Sequence, residues 1–303
     1  MKNLNASWRL LARLVPICLA LTACGGGGGG GGDNNAGAAY TAATSASFSP
    51  TTAKDKASKT QDVALHWVYV MNNGQPITAS LLGATVSVTV DSLEVTLSPA
   101  DLKRQVALRG AVSGSVSGTV VAGSYSATVG EDLAFSSGKT VFKNQTAGIT
   151  LTVSGGGESA TAQLTSTIKN FTPPYEWLLD RATLDQLAVG YSETVTSSGS
   201  ADLNVTITDE SPIVRSNLPV AISERWSVLE KLPSMVVRGK TYTSVVRLSR
   251  LTKVPDFNGN LVTVTIYYWV AKGVGMIKGQ GVYSVLNLSD VIVELVDTNL
   301  SQF

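Results

Sequence analysis

Near the start of the chain, the side chain best suited to covalent chemistry is the thiol of Cys24. Only one other cysteine, Cys18, is present in the sequence. A thiolate is a strong nucleophile, and the small neighbours Thr22 and Ala23 leave room for an enzyme to approach Cys24. Covalent modification of Cys24 would therefore be chemically feasible.

Residues 1–24 have the composition of an export signal. Three basic residues and no acidic residue precede Cys24. The apolar stretch at 14–21 is far shorter than the ~20 residues of a membrane-spanning helix. A basic start, a short apolar region and small residues before a cleavage point are typical of a signal peptide. The basic residues are Lys2, Arg9 and Arg13.

The segment Leu21-Thr22-Ala23-Cys24 resembles the bacterial lipobox, in which an aliphatic residue and two small ones precede a cysteine. The resemblance implies a diacylglycerol on the Cys24 thiol, cleavage before Cys24 and acylation of the new amino group. Several acyl chains, at about 0.8 kcal/mol per buried methylene, form a stable membrane anchor. Gly25 stands where aspartate would retain such a protein in the inner membrane, which implies the outer membrane, with its periplasmic face favoured over the cell surface. An ordinary signal peptide with an incidental cysteine is the alternative.

Glycine and small polar residues dominate the stretch that follows. Residues 25–32 are eight consecutive glycines, and few large apolar side chains occur before residue 61. Such a stretch buries too little surface to offset the entropy of ordering, so it predicts a flexible tether. A phosphate-binding loop would need a lysine after the glycines and a flanking strand and helix. The chain then divides into a signal peptide (1–23), Cys24 with its tether (24–60) and two folded domains (61–172 and 173–303).

Both folded domains show the pattern of β-structure. Short segments of alternating polarity recur about every 8–12 residues and are separated by glycine- and serine-rich turns, which indicates an all-β fold. Paired prolines at 173–174 mark the boundary between the domains. We expect domain 61–172 to be sandwich-like, and at most one or two short helices, at 99–107 and 177–187.

The most distinctive segment is LVTVTIYYWVAKGVGMIKGQGVYSVLNL at 261–288. Two glycines, Gly273 and Gly275, interrupt a long predicted strand at 261–271 and allow a tight turn or a bulge. The segment looks like a C-terminal module of uncharacterised bacterial envelope lipoproteins with the pattern Trp-x-Ala-x-Gly-Val-Gly-x-[Val/Ile]-Lys. Over about residues 176–300 this resemblance implies a curved antiparallel half-barrel, a form in which some envelope lipoproteins carry lipid or lipoprotein cargo. Trp269, Gly273, Gly275 and Lys278 are expected to have a structural role.

Catalytic and metal-binding patterns are weak. His66 is the only histidine and lies among large apolar residues, so we expect a neighbour or solvent to satisfy it. No serine lies in a Gly-x-Ser-x-Gly elbow. The alternating Asp256, Asn258 and Asn260 are followed by Leu261 where a calcium loop needs glycine, and the glycines after residue 272 miss the dinucleotide-binding spacing. We therefore predict no catalytic residue, no metal and no cofactor. Three carboxylate pairs keep a hydrolase as the third hypothesis, although we expect them to face solvent: Glu131 with Asp132, Asp209 with Glu210, and Glu176 with Asp180.

Charge excludes one class of partner. Of the 23 basic residues three precede Cys24, which leaves 20 against 22 acidic ones. This balance gives no electrostatic case for binding nucleic acid. The basic residues between 238 and 253 would suit anionic lipid headgroups, but we expect them to form a solvated face. They are Arg238, Lys240, Arg247, Arg250 and Lys253.

Two functional hypotheses therefore lead. The first is a non-enzymatic outer-membrane lipoprotein, anchored by its acyl chains, whose β-domains bind a hydrophobic ligand such as a lipid, or an envelope protein. The alternative is a structural or adhesive envelope module that presents domain 61–172.

Overall fold

A computed structural model gives the architecture of most of the chain beyond the tether. Cys24, the tether and the signal segment lie outside the residues that it describes, as do Gly273 and residues 256–260. The described residues are 65–81, 84–98, 101–116, 119–136, 139–180, 184–255, 261–272, 274–282 and 290–298.

Thirteen β-strands account for nearly all of the described residues, as the alternating sequence predicts. They are β1 (Leu65–Met71), β2 (Ile77–Leu81), β3 (Ala84–Ser98), β4 (Lys103–Val116), β5 (Thr119–Ser136), β6 (Lys139–Gly155), β7 (Glu158–Thr172), β8 (Ser192–Ile207), β9 (Ile213–Val237), β10 (Lys240–Pro255), β11 (Leu261–Ala271), β12 (Gly275–Val282) and β13 (Val291–Thr298).

The strands form one closed antiparallel barrel. Each strand from β3 to β13 pairs with its sequence neighbours, and β1 pairs with both β13 and β3. Twelve strands therefore complete the ring, and β2 adds to the edge of β3. The all-β class is confirmed.

The predicted sandwich joined to a half-barrel differs from this arrangement. β7 and β8 pair across the predicted boundary, with Thr172 opposite Ser198. The prolines at 173–174 begin the connection between β7 and β8. Because β8 pairs with β7 after this connection, the prolines do not end the sheet. Domains 61–172 and 173–303 thus contribute adjacent parts of one barrel.

Among the residues that the structure describes, helical structure is limited to short 3-10 turns. One such turn is Asn72–Gly74, which follows β1. Two more, Leu178–Asp180 and Leu184–Gln186, lie where a short helix was expected. The helix predicted at 99–107 is wrong, because β4 already begins at Lys103. Within the described ranges, no helix is both long and apolar enough to cross a membrane.

The hydrophobic core lies inside the barrel because apolar side chains alternate with polar ones along each strand. On β3, Val86, Val88 and Val90 are buried, and so are Leu93, Val95 and Leu97. A bulge between Val90 and Ser92 shifts the register by one residue and keeps both runs on the inner face.

The connection between β7 and β8 fills part of the barrel interior. Trp177, Leu178, Leu179 and Leu184 are buried. The carbonyl of Tyr175 accepts a 2.9 Å hydrogen bond from the backbone N–H of Phe142 on β6. This connection therefore acts as an internal plug, held by both backbone and side-chain contacts.

Candidate functional site

Two arginine–glutamate pairs lie inside the barrel. Arg104 on β4 donates from Nε to Glu131 Oε2 on β5 at 2.5 Å, and the two side chains are 0% and 1% exposed. Arg250 on β10 pairs with Glu224 on β9, and both are buried. The expectations that Glu131 and Arg250 face solvent are wrong, because both positions lie on the inner face of their strands.

The Glu224 carboxylate is surrounded by donors. Arg250 Nε donates to it at 2.9 Å and a second guanidinium nitrogen also donates, while Tyr175 Oη donates at 2.9 Å and Thr252 Oγ1 at 3.0 Å. Burial disfavours the charged form of Arg250, but the negative charge of Glu224 and its hydrogen bonds outweigh this effect and hold the Arg250 pKa well above its ordinary value. For Tyr175, burial itself raises the pKa well above its ordinary value, because it disfavours the charged phenolate. Both oxygens of the Glu224 carboxylate therefore accept hydrogen bonds, and its negative charge is paired with the Arg250 guanidinium.

The indole of Trp177 lies between the two arginines. The guanidinium carbon of Arg104 is 5.0 Å from a ring centroid of Trp177 and that of Arg250 is 5.2 Å away. Trp177 Nε1 donates to Tyr175 Oη at 2.6 Å. β4 and β10 stand opposite each other in the ring of strands, so one plug residue connects the two walls. Cation–π contacts of this kind are strongest when the cation is desolvated.

The two arginine–glutamate pairs and Trp177 form a charged layer inside the barrel, and its geometry suits stabilisation of the fold better than acid–base chemistry. Both glutamates are held by guanidinium groups, and Glu131 also accepts from Gln145 at 3.2 Å. Of the remaining predicted carboxylates, Asp209 and Glu210 lie exposed in the β8–β9 turn, as expected. Asp132 accepts a 3.2 Å hydrogen bond from Asn144.

The structure places Trp269 and Lys278 directly opposite each other on β11 and β12. Both belong to a row of outward-facing partners that crosses five strands. Trp269 is only 8% exposed, because Arg247 covers its ring at 5.1 Å and Lys278 at 5.8 Å. The row is Glu230, Arg247, Trp269, Lys278 and Glu294.

Gly275 begins β12 with φ +92°, a conformation that favours glycine. Two aromatic residues of β1 fix the same turn from inside the barrel. Trp67 Nε1 donates to the carbonyl of Val274 and Tyr69 Oη to that of Met276, both at 2.9 Å. The contacts of Trp269, Gly275 and Lys278 are therefore contacts that position a hairpin.

The best candidate for a binding site is a surface groove that we name the Ser244 groove. It arises where the β9–β10 ladder is interrupted, because Pro233 has no N–H to donate and neither Pro233 nor Ser244 has a ladder partner. Ser244 has φ +53°, and its carbonyl accepts from the backbone N–H of Lys272 at 3.3 Å. The groove has a volume of about 280 Å³ and is lined by Asp185, Lys231, Leu232, Pro233, Ser244, Val245 and Val246.

One wall of the Ser244 groove is apolar and the other carries a carboxylate. Leu232 and Val245, which are paired on neighbouring strands, form the apolar side of the groove, and Val245 and Val246 are both buried. Asp185 comes from the plug, and its Oδ1 is buried with no hydrogen-bond partner among the described residues. Loss of water raises the Asp185 pKa, although nearby backbone N–H groups and the charges of Lys272 and Lys231 act in the opposite direction. Lys231 Nζ donates to the Asp185 carbonyl at 2.6 Å.

Two other surfaces are weaker candidates. A groove of about 130 Å³ across β7, β8 and β9 includes Asp202 and Arg215, and Asp202 is already engaged by Lys169 at 2.6 Å. Among the described residues, 213–224 of β9 pair only with β8, so the other edge of this segment has no described partner strand. Pro219 and the positive-φ residue Asn217 interrupt that edge, and such interruptions discourage the addition of another strand.

The sole histidine has the structural role expected for it. His66 Nε2 lies 3.2 Å from Glu94 Oε2 on the neighbouring strand. In the part of the chain that the structure describes, no three His, Cys, Asp or Glu side chains are grouped as metal ligands.

Sequence reasoning missed Glu224, Tyr175, Trp177 and Asp185. Strand alternation does indicate that the arginines in contact with these residues face inward: Arg104, for example, is in phase with buried Val106 and Leu108. The plug residues have no such signal, because their place in the barrel depends on how the connection folds back.

The chain matches no protein-family model, no curated protein and no solved structure. The Ser244 groove and the barrel interior are therefore the features from which a function is inferred.

Proposed function

We propose that the chain is a non-enzymatic, lipid-anchored lipoprotein of the outer membrane that binds a hydrophobic ligand at the Ser244 groove. The observation that supports binding is the groove itself, which lies in the C-terminal part of the barrel and has buried Val245 and Val246 in its wall. Apolar surface with a few polar groups at one side is typical of ligand sites. A protein partner that inserts an apolar side chain into the groove is the alternative.

The barrel interior supports a surface site over carriage in the lumen. Trp67, Trp226 and Tyr268 are fully buried among the core side chains. Trp177 contacts opposite walls through Arg104 and Arg250. Since the chain's own side chains occupy this described part of the interior, we place the ligand outside it.

The anchor is Cys24 in this proposal, and the tether at 25–60 carries the barrel away from the bilayer. The outward positions of β3 and β4 include the polar residues Ser87, Thr89, Glu94 and Arg109. Because polar side chains do not suit contact with lipid chains, this proposal assigns membrane attachment to the acyl chains on Cys24. Cells fed an alkyne analogue of palmitate should label the wild-type chain and not Cys24→Ser. Equal labelling of a Cys18→Ser control is expected, and labelling of Cys24→Ser would overturn the assignment of the anchor.

Ligand binding is tested on the full-length lipoprotein in nanodiscs of phosphatidylethanolamine and phosphatidylglycerol. Benzyl alcohol is the probe, and the observable is the NMR shift of the valine methyl groups of Val245 and Val246. Leu232→Trp fills the groove and should weaken binding at least about ten-fold, equivalent to 1.4 kcal/mol.

The matched control is Leu229→Trp, an exposed position on the same strand that does not line the groove. It should bind like the wild type. Shifts confined to an interior methyl group such as that of Ile266, with none at Val245 and Val246, would contradict a surface site and favour lumenal carriage.

A further inference from the structure

The two walls of the Ser244 groove differ in chemistry, and this difference limits the ligand. Resting on the function proposed above, we infer that the groove takes a small apolar group carrying an N–H donor, preferably a cationic amine, with Asp185 as its acceptor. The volume of about 280 Å³ holds roughly ten non-hydrogen atoms at ordinary packing density.

The acceptor is already in place. Asp185 Oδ1 is buried and receives no hydrogen bond from the described residues. A buried acceptor without a donor is unfavourable, so a ligand that supplies the donor to Asp185 gains a hydrogen bond. A charged donor forms the stronger hydrogen bond to a carboxylate.

Two lysines, Lys272 and Lys231, act on Asp185 through their charges, but neither donates a hydrogen bond to its Oδ1. Lys231 Nζ is directed to the Asp185 backbone carbonyl at 2.6 Å. A ligand carboxylate in the groove would lie beside the Asp185 carboxylate, where like charges with little solvent repel. The structure therefore favours an amine over an acid of the same size.

The apolar wall positions the remainder of the ligand. Val245 and Val246 follow Ser244 directly, and both are buried. The positive φ of Ser244 and the missing ladder partner at Pro233 are built into the backbone that lines the groove. A preformed site requires less ordering when its ligand binds.

The test compares four probes of one shape on the full-length lipoprotein in the same nanodiscs: benzylamine, benzyl alcohol, toluene and phenylacetate. The shifts of the Val245 and Val246 methyl groups give a dissociation constant for each. We expect benzylamine to bind most tightly and phenylacetate most weakly, with benzylamine at least about ten-fold tighter than toluene, a difference of 1.4 kcal/mol.

Asp185→Asn should remove the preference for benzylamine over toluene and leave toluene binding unchanged. Asp209→Asn, an exposed carboxylate in the β8–β9 turn, is the matched control and should keep the preference. The ranking of the four probes on the wild-type chain tests the inference even if Asp185→Asn fails to fold.

The outcomes separate this inference from the proposed function. Equal binding of toluene and benzylamine, abolished by Leu232→Trp, would overturn the amine preference and leave the groove as a hydrophobic site. Failure of all four probes to shift the valine methyl groups would overturn both.

Discussion

Replacing Glu224 by glutamine tests whether the charged layer inside the barrel stabilises the fold. The substitution keeps the shape but leaves Arg250 with an uncompensated buried charge. It also turns one acceptor into a donor that faces existing donors, among them Tyr175 Oη at 2.9 Å and Thr252 Oγ1 at 3.0 Å. Breaking a buried ion pair by removing one partner costs about 3–5 kcal/mol. For a barrel of this size that loss corresponds to a fall in Tm of about 6–20 °C.

The matched control is Asp202→Asn, which removes the partner of Lys169 in a pair whose side chains are 35% and 39% exposed. An exposed pair contributes about 0–1 kcal/mol, so the control should melt within a few degrees of the wild type. The assay is thermal unfolding followed by tryptophan fluorescence, since Trp177 and Trp226 lie within 6 Å of Arg250. If Glu224→Gln melted no lower than Asp202→Asn, the layer would not be a main source of stability.

Three further predictions follow from the same contacts. Trp177→Ala should lower the free energy of unfolding by about 3–5 kcal/mol, as measured by guanidinium denaturation, and an effect below that of Leu229→Ala would contradict its role between the walls. Gly275→Ala should cost about 1–3 kcal/mol because its φ of +92° strains any other residue, while Gly123→Ala, at a negative φ, tests crowding separately. The raised Asp185 pKa means that the folded state binds this proton more tightly than the unfolded state, despite Lys272 and Lys231 nearby. Wild-type stability should therefore rise relative to Asp185→Asn as pH falls through the folded pKa towards 3.8, and parallel pH profiles of the two proteins would refute this.

Local sequence pattern was sufficient for many strands. β11 has the bounds predicted for it, Leu261–Ala271, because a long run of β-branched and aromatic residues lies between two turn signals. β3 is one strand, Ala84–Ser98, although its alternation of buried and exposed residues is interrupted part-way. The bulge between Val90 and Ser92 changes the phase of the alternation. In the sequence, this change looks like a break between two separate strands.

Closure of the barrel had no local signal. It depends on β1, which pairs with Leu93–Leu97 of β3 on one side and with β13 on the other. Trp67 and Tyr69 of β1 also reach the carbonyls of Val274 and Met276, some 207 residues away. Pairings of this kind are decided by the packing of the whole sheet, so separate domains were the natural expectation from sequence.

The buried charges show a different limit. Arg250 alternates in phase with buried Leu248 and Thr252, so its pattern placed it on the inner face, yet a charged residue is almost never fully buried unless it is paired. Its partner Glu224 lies on another strand, and Tyr175 comes from the plug. The sequence does not show that these three groups meet, and without that knowledge a solvated arginine was the simpler prediction.

The basic residues at 238–253 and the motif that begins at Trp269 are separate in sequence, but their side chains meet at β10. Arg247 faces outward from β10 and lies 5.1 Å from the rings of both Tyr267 and Trp269. Arg250 faces inward and lies 5.2 Å from Trp177 and 5.6 Å from Trp226. β10 is thus held by cation–π contacts on both faces, immediately after the residues that line the Ser244 groove. Because a wall fixed on both faces needs little ordering when a ligand binds, the contacts that stabilise the barrel also preorganise the groove.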